Sequence, residues 1–258
     1  MLWEPIPSFS GQFKGNGHTI SDLTITGQYS PAGLFGIVEE QGSIESLSVR
    51  GVVSVSDSAD TTTGGIVGVN HGTLINCQFT GVVTGDSEVG GIVGRNESEG
   101  TIDHGTARAI VTGKSSTGGI AGYNLGAITG CTNVGSINTE YPEASLDTDG
   151  FTAKMVDYIN NKMAAADNDA TNSVTNVATD TGGIAGRSSG MILTSVNTGT
   201  IGYEHVGYNV GGIVGRTDGL VSGCVNQGRV LGRKDVGGIA GQAEPYRELD
   251  LSKDCLLY

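Results

Sequence analysis

The residues best suited to hold a ligand lie late in the chain. Tyr203, His205 and Tyr208 fall within one short stretch, and Arg187 and Arg216 stand at equivalent points of a repeat, two places after Ala185 and Val214. Aromatic rings beside cationic and polar groups suit a sugar or a peptide. These five residues are the candidate ligand-binding set; the same composition also suits a Tyr-rich loop packed on the flank of the fold. The four histidines, His18, His71, His104 and His205, have no paired metal-ligand spacing, and no Cys-x-x-Cys is present. They read as turn or surface residues. Asp147-Thr148-Asp149-Gly150 opens like a calcium loop but lacks the later ligands and the closing Glu. No metal and no cofactor is expected.

Catalysis on a sugar polymer would need clustered carboxylates, or carboxylates with Arg or Lys, on one exposed face of adjacent coils. The acids here, Asp57, Asp60, Asp86, Glu88, Glu97, Glu99 and Asp103, occupy different points of the repeat. The expectation is a protein that is not an enzyme. The alternative is a carbohydrate-active β-helix enzyme, a polysaccharide lyase or hydrolase, which clustered carboxylates in a groove would favour.

What must position these residues is a short phrase, Gly-Gly-Ile-Val/Ala-Gly. It begins at Gly64, Gly90, Gly118, Gly182, Gly211 and Gly237, with a relaxed copy at Ala32-Gly33-Leu34-Phe35-Gly36. The steps between copies are 32, 26, 28, 64, 29 and 26 residues. A fixed period of this size marks a repeat architecture. The double-length step contains the motifs of only one coil, so it holds an insertion. Within each coil a second glycine follows (Gly42, Gly72, Gly100, Gly126, Gly190, Gly219), and apolar or small residues recur at fixed offsets behind it. One such column runs Ile44, Leu74, Ile102, Ile128, Ile192, Val221; another runs Val53, Val83, Val111, Ile137, Ile201, Val230. One coil cannot bury these side chains alone; stacked coils about 4.8 Å apart bury them as ladders. The fold class predicted is all-β, a right-handed parallel β-helix (β-solenoid) of about three short strands per coil, right-handed by the general crossover preference. Glycine is expected both where corners need positive φ and where backbones approach closely. Recurring asparagines, Asn70, Asn96, Asn124 and Asn133, Asn197, Asn226, suit either side-chain ladders or simple turns.

Residues 1–258 read as a single solenoid domain. The insertion spans about 140–180, with a helical stripe at Phe151, Met155, Ile159 and Met163. It reads as a helix on the flank, or as a binding element. Residues 243–258 read as a C-terminal cap or the start of a linker. Cys77, Cys131 and Cys224 share one coil position, alternating with Gly105 and Ser195. Two coils separate them by roughly 10 Å, beyond the reach of a disulfide, so free, buried thiols are expected.

The chain carries 44 Gly and a formal net charge of −13 over 258 residues. Such acidity argues against nucleic acid and against an anionic membrane surface. No apolar run is long enough to span a bilayer, and Met1-Leu2-Trp3-Glu4-Pro5 does not open a signal peptide.

The Gly33-Leu34-Phe35-Gly36 core, its Gly-Gly-Ile variants and the Gly15-Asn16-Gly17-His18-Thr19-Ile20 opening resemble the GLUG motif. That resemblance covers nearly the whole chain outside the insertion. It implies an exported, adhesin-like bacterial surface protein, as in the non-catalytic region of immunoglobulin-A-cleaving metalloproteases. The His-Glu-x-x-His of those proteases is missing here, so the resemblance implies no peptidase activity. The expected function is a non-catalytic cell-surface stalk or adhesion module. Its expected partner is a host glycan or a host or bacterial surface protein. The chain is expected to be monomeric and extracellular or surface-attached, cut from a longer protein that carries the signal and anchor.

Overall fold

The computed structural model describes residues 2–55, 61–140 and 178–244. The helical stripe and calcium-like tetrapeptide of the insertion, and the tail from Pro245 onward, lie outside the described residues. Those described build a parallel β-solenoid of about seven coils.

One coil shows the plan: Val67–Asn70, Thr73–Ile75, Gln78–Thr84, then Val89–Gly90. Each segment pairs in parallel with its copies in the coils before and after, giving four sheets, here called I to IV in that order. The count per coil is therefore four, not about three. The added strand is the short segment just ahead of the Gly-Gly phrase, which runs beside the strand just after it.

The register is the one the repeat dictates. Ile44 pairs with Leu74, Leu74 with Ile102 and Ile102 with Ile128; Val53 pairs with Val83 and Val83 with Val111. All of these are fully buried, as is the phrase isoleucine from Ile66 to Ile213. At the first coil Phe9, Phe13 and Phe35 pack together, with ring centroids 5.1–6.5 Å apart. The last coil has no coil over it among the described residues, and Ile239 is 42% exposed.

The glycines of the phrase turn out to serve one of the two expected purposes. None of them has positive φ. A Cβ on Gly118 would strike the Ala121 carbonyl, and one on Gly119 the Gly183 carbonyl of the next coil. Close approach of backbones is thus their reason. Left-handed positions lie elsewhere: one corner between sheets II and III, at Ser46, Asn76, His104, Gly130, Thr194 and Gly223, with φ from 47° to 65°, and a second at sheet IV, at Glu88, Ser116, Asp180, Asn209 and Asp235. Most of these are not glycine.

The asparagines form true ladders. Asn70 Nδ2 donates to Asn96 Oδ1 and Asn96 Nδ2 to Asn124 Oδ1, both at 2.8 Å, and Asn124 Nδ2 donates to Ser188 Oγ at 3.0 Å. Asn133, Asn197 and Asn226 form a second ladder, also at 2.8 Å per step. Each side chain also ties down the backbone of its own corner, as when Asn197 Nδ2 donates to the Gly199 carbonyl.

Extra chain leaves the coil between sheets III and IV. The insertion departs there after Ile137, and the Tyr203 loop does so one coil later. The two points of return adjoin on sheet IV, where Tyr208 N donates to Ala178 O at 3.1 Å.

Candidate functional site

The structure divides the five candidate residues into two groups. Arg187 and Arg216 are register partners on neighbouring strands of sheet I, Ala185–Ser188 and Val214–Thr217. Tyr203, His205 and Tyr208 belong to the corner between sheets III and IV. Tyr203 bridges Val206 across a tight loop, and the His205 side chain is 89% exposed, 3.9 Å from Glu204. Tyr208 begins a sheet IV strand, with the Arg233 guanidinium 6.0 Å from its ring centre. No hydrogen bond, ion pair or ring contact joins His205 or Tyr208 to either arginine.

The arginines have neighbours that sequence reasoning missed. Their column continues back to Tyr123 and Arg95. Tyr123 lies between two guanidinium groups, Arg95 at 5.0 Å and Arg187 at 5.1 Å from its ring centre. Its hydroxyl is 3.3 Å from Ser189 Oγ. A cation over a ring face is attracted by the ring quadrupole, so Tyr123 orients both arginines. The signal was in the sequence: Arg95 and Tyr123 also stand two places after the Val or Ala of their phrase.

Several acids on or near this flank engage cations. Arg95 donates to Glu88 at 2.6 Å and to Glu97 at 2.7 Å. Lys114 meets Asp86 at 2.6 Å, and Arg216 meets Glu244 at 3.3 Å. Among the described residues no group of three or more His, Cys, Asp and Glu is placed to hold a metal ion. No helix of the described residues is long and apolar enough to cross a membrane.

The thiols are free, as expected from their spacing. Cys77 and Cys131 are buried; Cys131 Sγ donates to Thr129 O at 3.4 Å and accepts from Gly105 N at 3.2 Å. Burial pushes the Cys77 thiol up to about 11 and the Cys131 thiol up to about 12. Cys224 departs from the expectation: it lies in the last coil and is only half-buried. Since the thiolate is the nucleophile, native protein at pH 8 should leave Cys77 and Cys131 unmodified by a thiol reagent while Cys224 reacts. Denaturation should release both. A native-state reaction at Cys131 would place that column outside the core. The raised values also set a pH dependence. Above pH about 9 the unfolded chain loses these protons while the folded one keeps them, so stability falls from there toward pH 11–12.

No family model matches the chain, and no solved structure does. Halomucin of Haloquadratum walsbyi is 35% identical over 38% of this chain and 1% of its own length. A Gly-rich membrane protein of Evansella cellulosilytica is 29% identical over 38% of this chain and 16% of its own. The chain thus spans a small part of each of these relatives, and what it resembles in both is a segment of a far longer protein.

Proposed function

We propose that this chain is a non-catalytic solenoid module of a larger exported surface protein, acting as a stalk or as an adhesion element. The observation that supports it most is the unbroken run of inward ladders from coil to coil. They make a stiff body about 34 Å long from the eight strands of sheet I at about 4.8 Å each. Such a body holds its flanks at fixed spacing, as a spacer or an adhesive surface requires. The names of the two relatives, a mucin-like name and a membrane protein, are compatible with a surface location. The Gly-Leu-x-Gly phrases favour the adhesin-like reading, with a glycan or a surface protein as partner. The carboxylates nearest the arginine column, Glu88 and Glu97, share a single cation, Arg95, in a closed cluster of ion pairs, which gives the enzyme alternative little support.

An array of glycans and surface proteins probed with the whole chain tests this. Saturable binding supports an adhesion element, and a folded but silent chain supports a stalk. New reducing ends on any polysaccharide of the array would overturn the non-catalytic reading.

A further inference from the structure

We infer that Arg187 and Arg216 form a clamp for an anionic sugar residue, one bearing a carboxylate or a sulfate group. This rests on the reading of the chain as a binding module and names the ligand class of its sheet I flank.

The argument starts from a contrast within one column. Arg95 shows what a structurally satisfied arginine looks like in this fold, with two carboxylates at 2.6 and 2.7 Å. Arg187 has the same coil position and the same Tyr123 ring beside it. Yet among the described residues it donates to no carboxylate at all. Its register partner Arg216 has one ion pair, to Glu244, between side chains 40% and 51% exposed. A pair that open contributes little. Asp218 is near in sequence but makes no ion pair with either arginine.

Like charges directly opposite each other on paired strands are destabilising. The chain has 27 acidic residues against 14 basic ones, so acids to neutralise this pair are abundant. Arg187, with no acid partner among the described residues, and Arg216, with one open pair, are therefore out of keeping with the rest of the surface. A bound anion accounts for the pair. Guanidinium groups present forked donors that match the oxygens of carboxylate and sulfate, and one coil step brings the two forks within about 4.8 Å at the backbone. Tyr123 contributes by fixing the Arg187 plane. Both of its faces have guanidinium neighbours, so it holds the clamp and does not itself stack on a sugar. The overall charge of −13 repels extended polyanions. That favours one anionic sugar group in a short oligosaccharide over a densely charged polymer.

The test is calorimetric titration of the whole chain with trigalacturonate, a sulfated galactose trisaccharide and neutral galactotriose. At least one anionic trisaccharide should bind and the neutral one should not; which of the two binds identifies the group. Arg187→Gln and Arg216→Gln should each weaken binding at least tenfold. Arg50→Gln with Arg108→Gln, on the outer face of sheet III, should change it less than twofold. The melting temperature of Arg187→Gln should fall by no more than about 2–4 °C, since only the contact with the Tyr123 ring is lost. Equal weakening by both sets of variants, or equal binding of the neutral sugar, would overturn the clamp. So would silence toward both anionic sugars. A different ligand found on the array would then leave the binding-module reading intact, whereas an empty array would remove it.

Discussion

Replacing Val83 by Asp lowers the melting temperature by about 10 °C. Val83 is fully buried and stands in register between Val53 and Val111, which are buried as well. No cation faces that column, so the new carboxylate would be desolvated without a partner. An uncompensated buried charge destabilises by about 3–5 kcal/mol, and each kcal/mol shifts the transition of a chain this size by about 2–4 °C. The sign of the pH effect follows. Burial raises the pKa of the new carboxyl in the folded state above its unfolded value. The charge part of the deficit therefore shrinks as pH falls through the raised folded value and is gone below about pH 3, where the group is protonated in both states. A melting curve equal to wild type at pH 7 would mean that the column does not face inward.

The second large effect is expected at Asn96. Asn96 is fully buried, accepts from Asn70, and donates to Asn124 and to the Gly100 carbonyl. Asn96→Leu keeps the volume and removes all three bonds. Asn70, Asn124 and Gly100 each lose a partner, and leaving a buried polar group unsatisfied costs about 1–3 kcal/mol. A loss of about 3 kcal/mol is expected by denaturant unfolding. Asn226→Leu, at the half-buried end of the other ladder, should lose less than half as much. In Asn96→Leu/Asn124→Leu the two effects should sum to less than the separate losses, because the bond between them is counted twice. Additive losses would show that the ladder is a set of independent corner bonds.

Much of the fold was legible because identical residue types recur at one period. Ile44, Leu74, Ile102 and Ile128 could be aligned without a structure, and their pairing follows that alignment. The fourth sheet was not legible, since strands as short as Thr63–Gly64 and Val89–Gly90 are too brief to show alternation. The left-handed corner between sheets II and III was hidden for another reason. Ser, Asn, His, Thr and Gly all occupy it, so no single residue type marks it. At the candidate site, Arg187 and Arg216 were found by coil position. Tyr203, His205 and Tyr208 were grouped with them by closeness along the chain, which a solenoid does not translate into closeness on its surface. Tyr123 escaped because its column changes residue type from coil to coil.

The direction of the hydrogen bonds bears on how such a body answers a pull. In every sheet the bonds between coils run along the solenoid axis, and the chain advances along that axis one coil at a time. Tension applied to the two ends therefore loads those bonds lengthwise rather than in shear. A single coil can then be peeled away while the next stays closed. Among the described residues the coil ending at Ala243 has the least buried side chains, so an end left uncovered there would open first. Under load the module would lengthen in steps of one coil, each releasing about 26 to 32 residues of slack, or 64 for the coil that carries the insertion. It would yield gradually, as a shock absorber does, and would rewind onto the coil still standing when the force is removed.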